Sequence, residues 1–351
     1  MKDVLVDVFK LRSLYTGLGQ FSLNFIEALK SSDLKNLNIV LLIPPGFDSS
    51  ISKEFDRIEA GFKHRLFPGL NRKFDLWHSL QQFPSHFPMP ATRQILTVHD
   101  LNFLIEKNEN KANRYLAKLQ KNIDRSIAVT TISNATKLVL EKYIDTRYKP
   151  VKVIYNGAKL DLSVSDAKPG FVTHDKYLFA IGVFNQKKNF EVLIPMMKYF
   201  PGYQLIIAGD NDSSYGNTMR QLIQDAGLNH QVTLPGKISD ADKSWLYQNC
   251  QGFMMPSQAE GFGLPVIEAM LAGKPVFLSN IDSLSEVGGN TADYFENFDA
   301  EQMARLIEIR LLEFDKNKNS ETDLLLSHAQ QFTWKASIDA YLTLYNAVLN
   351  D

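Results

Sequence analysis

Short apolar runs rich in β-branched residues alternate along this chain with longer stretches whose apolar positions recur three and four residues apart. In the first half, the runs at residues 4–9, 38–43, 93–98, 127–132 and 151–155 read as strands. Residues 19–30, 110–125 and 134–143 read as amphipathic helices. The second half repeats the scheme, with strands over residues 177–181, 203–208, 231–234, 253–255 and 275–278. Strands and helices that alternate in this way belong to parallel sheets covered on both faces, so the pattern predicts an α/β protein made of two doubly wound units.

A chain of 351 residues exceeds the size at which one core keeps growing, which agrees with two domains. Residues 159–175 mix Asp, Ser, Lys, Pro and Gly with little periodicity and read as a linker. The expected organisation is a domain over 1–158, the linker, a second domain over 176–330 and a closing segment over 331–351. Asn156 and Gly157 suit a turn at the end of the first domain. Within the closing segment, Ile338, Tyr341, Leu342, Tyr345 and Val348 form one stripe of a helix, which needs a surface to cover it.

Composition narrows the class. Apolar residues make up 44% and charged residues 22%, as in ordinary globular proteins, and no apolar run approaches the roughly 18–20 residues of a membrane span. No secretory pattern opens the chain, so a cytoplasmic protein is expected. The single cysteine, Cys250, lies in an apolar stretch and is not expected to be catalytic. Residues 1–158 carry 23 Lys and Arg against 15 Asp and Glu, while the remainder carries 15 against 24. A basic half suits an anionic partner, a phosphate-bearing acceptor or a lipid surface, and is equally compatible with a plain solvated surface. No nucleic-acid partner is expected.

The segment from Pro256 to Met270 comes directly after the strand that ends at Met255. Glu260, Gly261, Phe262 and Gly263 form a loop whose glycines let backbone N–H groups approach a ligand, and Pro265 suits the first turn of a helix. Free N–H groups and the positive end of the helix dipole together make a site for a diphosphate. Glu260 and Glu268 can border one pocket and accept hydrogen bonds from sugar hydroxyls; taken alone, Glu268 reads as an exposed helix residue and Glu260 as a solvated loop acid, and it is the whole segment after a strand that favours a site.

These residues resemble the GT-B glycosyltransferase family usually numbered four, whose signature places two glutamates seven residues apart within S-x-x-E-G-F-G-L-P-x-x-E-A. The resemblance implies two facing Rossmann-like domains with a cleft between them and a last helix that crosses back to the first. It also implies a nucleotide-sugar donor as substrate, no cofactor, and retention at the anomeric carbon. Glu268 would bind the donor ribose, while Glu260 with Gly261, Phe262, Gly263 and Leu264 would hold the transferred sugar.

Further segments resemble the same family. In V-F-N-Q-K-K-N-F, from Val183 to Phe190, Lys188 would meet the donor diphosphate, with Lys187 where many relatives carry Arg. The alternative is that the basic pair only starts a helix. Gly17 and Gly19 stand in a loop, G-L-G-Q-F, of the kind that faces donor and acceptor. That loop also resembles a dinucleotide fingerprint, but Ser22 replaces the third glycine and Pro44, Pro45 and Gly46 stand after the next strand instead of an acid, which disfavours a nicotinamide enzyme. His99 and Asp100 come after a strand in T-V-H-D-L, where the histidine would reach the transferring sugar. A packed histidine beside a turn-capping Asp100 is the alternative. His78 is a weaker acceptor-side candidate, as is Asp100. Ile238, after Lys237, would meet the nucleobase through its main chain.

Lys111, Arg114, Lys118, Lys121 and Arg125 lie along one helix, a possible contact with an anionic membrane or simply a solvated face. The seven histidines show no zinc spacing, and metal-independent transfer is expected. Within the family the two N-terminal segments most resemble bacterial mannosyltransferases of surface polysaccharide assembly. The resemblance implies a retaining hexosyltransferase with GDP-mannose as first donor and a glycan or lipid-linked oligosaccharide as acceptor. UDP-hexoses, UDP-N-acetylhexosamines and dTDP-rhamnose stay open. So do a non-catalytic sugar-nucleotide-binding scaffold and a phosphorylase or epimerase of similar fold.

Overall fold

The computed structural model describes residues 1–14, 16–47, 54–61, 73–162 and 167–350, so residues 163–166 of the expected linker lie outside the described residues. The chain divides into two compact units, Met1–Gly157 with Thr333–Asp351, and Ala158–Phe332.

The first unit holds a sheet of β1 (Lys2–Asp7), β2 (Leu37–Ile43), β3 (Asp56–Glu59), β4 (Leu76–Ser79), β5 (Arg93–Val98), β6 (Ala128–Thr131) and β7 (Val151–Val153). The strand order is β3-β2-β1-β4-β5-β6-β7. All pairings are parallel, with Val4 opposite both Ile39 and Leu76 and Asp7 opposite Leu42 and Ser79. The order reverses between β1 and β4, where loops leave to opposite faces and open a crevice at the carboxyl ends of these strands.

On one face, the helix Gly17–Lys30 buries Phe21, Phe25, Ile26 and Leu29 against Val4, Val6, Ile39 and Leu41. The helix Trp334–Asn350 shares this core: Ile338, Tyr341 and Tyr345 are wholly buried, and Phe25 meets Tyr341 edge-on at 5.2 Å. Side chains of this size contribute about 1.5–3 kcal/mol each when fully buried, which explains why the terminal stripe docks. The opposite face packs Leu96, Val98 and Val129 against Leu119 and Ile123 of the helix Glu109–Arg125.

The second unit repeats the plan with β8 (Lys176–Ile181), β9 (Tyr203–Ala208), β10 (Val232–Gly236), β11 (Gly252–Met255), β12 (Val276–Ser279) and β13 (Asp293–Phe295). Their order is β10-β9-β8-β11-β12-β13, again parallel throughout. The reversal falls between β8 and β11. The loops after these two strands carry the V-F-N-Q-K-K-N-F and S-Q-A-E-G-F-G segments, so the topology sets both beside one crevice. Among the described residues, no helix is long and apolar enough to cross a membrane.

Candidate active site

Beyond β8 the chain passes Gly182 and a short 3-10 turn, Gln186–Lys188, closed by Asn189 in the left-handed region at φ 53°. The turn sends the Lys188 side chain back across Gly182: a Cβ at residue 182 would lie 3.0 Å from Lys188 Cε. Beyond β11, the Gln258 N–H donates to the Lys187 carbonyl at 2.7 Å, and the Gln258 side-chain amide reaches Asn189 Oδ1 at 3.3 Å. Ser279 Oγ donates to the carbonyl of Ser257 and steadies the second loop from below. Stitched in this way, the loops bring Lys188 Nζ to 2.6 Å from Glu260 Oε1, with the two side chains only 12% and 13% exposed.

The same loop ends at Gly263, whose φ of 117° is open to glycine and strained for other residues. This backbone turns the chain into the helix Leu264–Leu271, which has Pro265 in its first turn and no side-chain cap. Phe262 is 3% exposed and packs edge-on against Phe332 at 5.7 Å, so its side chain anchors the loop.

One turn into that helix, Glu268 is 14% exposed and held from two sides. Lys243 Nζ lies 2.6 Å from its Oε1, and the Tyr247 hydroxyl donates to its Oε2 at 2.9 Å. Burial, and after it the nearby carboxylate, push the Tyr247 phenol well above its ordinary range, so it stays a donor. Ile238 is half-buried just past β10, and its neighbour Lys237 pairs with Asp210 at 2.8 Å. Asp210 and Asp212 stand two apart after β9, but no group of three His, Cys, Asp or Glu placed to hold a metal occurs among the described residues.

Within the first unit, His99 comes just after β5 and is 7% exposed. Its Nε2 lies 2.7 Å from the Leu80 carbonyl, which can only accept; the hydrogen therefore sits on Nε2 and Nδ1 is the ring's acceptor. Burial holds the imidazole neutral, with its pKa down to about 4. Phe21, the last residue of G-L-G-Q-F, meets the His99 ring edge-on at 4.7 Å, which joins the two N-terminal segments. Gly19 is required by packing: a Cβ there would fall 2.1 Å from the Ser13 carbonyl oxygen, while Gly17 faces open space. Asp100 Oδ1 accepts the Asn102 N–H at 3.0 Å in a local turn, and its carbonyl accepts from Gln82.

His78 departs from expectation. It lies wholly buried in β4, Nδ1 at 2.5 Å from the Tyr345 hydroxyl and Nε2 at 2.8 Å from Thr97 Oγ1, with its pKa lowered by burial to about 3. Both ring nitrogens are engaged in clamping the sheet to the last helix, and neither is left for an acceptor.

Three groups had no motif to mark them. Lys243 and Tyr247 are one turn apart on the helix Asp240–Asn249, a spacing that sets them on one face. Asp7 closes β1 at the switch point, 2% exposed; Oδ1 accepts the Phe9 N–H at 3.0 Å, and Oδ2 has no hydrogen-bond partner among the described residues. A carboxylate buried at the end of a core strand is a local inconsistency of the kind that flags such groups.

A nearly buried lysine on a glutamate, beside a glycine-started helix at the carboxyl ends of parallel strands, is an arrangement that can take up an anion and a hydroxylated sugar together. Residues 163–323 match the family model described as glycosyl transferases group 1. The C-terminal unit is a glycosyl transferases group 1 domain. This glycosyltransferase is 26% identical to the O-antigen chain mannosyltransferase B of Escherichia coli, over 94% of this chain and 96% of that one. It is 27% identical to the O-antigen chain mannosyltransferase RfbU of Salmonella typhimurium, over 83% of this chain and 86% of the relative. The fold likeness spans both units of the glycosyltransferase: a sucrose-phosphate synthase from Thermosynechococcus elongatus superposes with a TM-score of 0.77, 18% identity and full coverage of both chains. The architecture is GT-B.

Proposed function

We propose that this glycosyltransferase moves a hexosyl group, mannose from GDP-mannose in the first instance, to a glycan or lipid-linked oligosaccharide acceptor in polysaccharide assembly. The observation that carries the reading is the Lys188–Glu260 pair at the switch crevice of the C-terminal domain. Its chemistry is that of a diphosphate beside a sugar, and two relatives named mannosyltransferases support the choice of sugar. On this reading the donor diphosphate draws Lys188 away from Glu260 and lies over the first N–H groups after Gly263. Glu260, released, accepts hydrogen bonds from the sugar, and Glu268 accepts them from the ribose.

The bond from the sugar C1 to the diphosphate oxygen breaks, the acceptor oxygen bonds C1 from the same face, and the acceptor proton passes to the departing phosphate oxygen. Lys188 and the loop amides stabilise the charge left on that oxygen, so no metal is needed in this scheme. His99, neutral and with Nδ1 as acceptor, suits a sugar hydroxyl better than a developing anion. The exposed residues Lys111, Arg114, Lys118, Lys121 and Arg125 would give the first unit a peripheral hold on an anionic surface.

A thermal-shift panel of GDP-mannose, UDP-glucose, UDP-N-acetylglucosamine and dTDP-rhamnose tests the donor, since a ligand that binds the native state alone raises the melting temperature. The expected result is a shift with GDP-mannose that Glu268→Ala abolishes. A shift with another donor replaces the base and sugar, and no shift with any of them removes the nucleotide-sugar reading.

A further inference from the structure

Glu268 carries the donor ribose in the proposed function, and the role assigned to its two neighbours rests on that proposal. A carboxylate on an exposed helix face samples several rotamers, and ordering such a side chain on binding weakens the ligand's hold. Here both oxygens are already fixed. Lys243 holds Oε1 at 2.6 Å and Tyr247 holds Oε2 at 2.9 Å. Tyr247 is itself immobile: it is fully buried, edge-on to Phe179 at 5.0 Å and tilted against Phe253 at 5.5 Å. The helix that carries both residues is fixed at its start by a capping box between Ser239 and Asp242.

Each carboxylate oxygen has a second lone pair, so two donors from the protein leave room for two hydroxyls from a ligand. A vicinal ribose diol presents two hydroxyls at the spacing of a carboxylate.

We propose that Lys243 and Tyr247 are positioning residues that orient Glu268 toward the 2′ and 3′ hydroxyls of the donor nucleotide, and that they make this site selective for ribonucleotides.

The test is titration calorimetry of the full chain with GDP and UDP and with their 2′,3′-dideoxy forms, on the parent, Lys243→Met, Lys243→Arg, Tyr247→Phe and Glu268→Ala. Met keeps the stem of Lys243 and Phe keeps the packing of Tyr247, so each variant removes the polar contact alone. The expected result is that Lys243→Met and Tyr247→Phe each weaken the ribonucleotide about tenfold, the size of one hydrogen bond to a charged group, and leave the dideoxy form unchanged. Lys243→Arg restores most of the preference. Equal losses for both nucleotide forms would make Lys243 a phosphate or base contact and overturn the positioning role; no loss would overturn it as well. Glu268→Ala separates the positioning role from the ribose role. Should it leave the preference for ribose intact, the ribose role of Glu268 fails, and a parent that binds neither diphosphate removes the donor site altogether.

Discussion

Lys188 Nζ lies 2.6 Å from Glu260 Oε1 across two loops that leave neighbouring strands, and both side chains are nearly buried. A pair so placed is held by geometry and is little screened, unlike the exposed ion pairs of the surface. On the proposed reading the donor enters at this pair, so the same contact sets a threshold for ligands. Only an anion that offers Lys188 more than Glu260 does can open it.

Lys188→Met therefore has two expected effects. Glu260 loses its cation while still mostly buried, which costs about 1–3 kcal/mol of stability. Nucleoside diphosphate affinity falls at least tenfold, because a charge-assisted bond to phosphate contributes about 1.5–3 kcal/mol. Chemical denaturation and calorimetry measure the two separately. Unchanged diphosphate affinity would take Lys188 out of the phosphate site.

How much of this architecture was legible in advance depends on where the information lies. The long buried strands β1, β2, β5 and β9 show as apolar runs because both their faces are covered. The edge strand β3, with sequence Asp-Arg-Ile-Glu, is almost wholly exposed and carries no apolar pattern. β4 has four residues, Leu76 to Ser79, too few for any period, and His78 and Ser79 are buried only because β1 and β5 flank them. The missing strand bears on the site. His78 stood as a weaker acceptor-side candidate because nothing local announces a central strand, and its partner Tyr345 lies 267 residues away. The convergence of the loops bearing Lys188 and Glu260 was readable, since both come after strands and switch points gather such loops. The partners of Glu268 were not, because Lys243 and Tyr247 are chosen by tertiary packing rather than by any spacing from Glu268.

Gly263→Ala tests whether the loop geometry is required. At φ 117° an alanine is strained, and its Cβ would lie 2.9 Å from Leu284 Cδ2. A cost of about 1–3 kcal/mol is expected, with a larger loss of diphosphate binding, since the strain is relieved by rotating the amides after it. Urea unfolding and thermal shift report the two. A variant that keeps full diphosphate binding would show that these amides do not form the site.

Two of the buried histidines of the first unit, His78 and His99, set an acid limit. His78 and His99 are depressed to about 3 and about 4 by burial, so both are neutral when folded, while in the unfolded chain they titrate near their ordinary 6.5. Below that value the unfolded chain binds protons the folded one refuses. The stability they lend is present in full above about pH 6.5 and is lost as pH falls toward 4 for His99 and toward 3 for His78, by up to about 1.4 kcal/mol per pH unit for each. Imidazole resonances recorded from pH 8 to 5 should leave His78 and His99 unmoved. A His99 midpoint near 6.5 would mean that the ring is solvated rather than buried, since burial is what lowers it.

Asp7 acts in the opposite sense. Burial raises its carboxyl from 3.8 to about 7, opposed by the Phe9 N–H and by Lys10, so the folded chain keeps a proton that the unfolded chain gives up. Stability therefore falls as pH rises from about 4 to about 7, and levels off above that range, where both states are ionised. Asp7→Asn has no proton to lose. Its advantage over the parent should grow by about 2–3 kcal/mol between pH 5 and pH 8, read from urea unfolding at the two values. The excess comes from the parent becoming less stable, because the amide fills the same space without a charge. Equal differences at both pH values would place the Asp7 carboxylate in contact with a cation or with water when folded, and the buried, half-partnered carboxyl at the end of β1 would have to be redrawn.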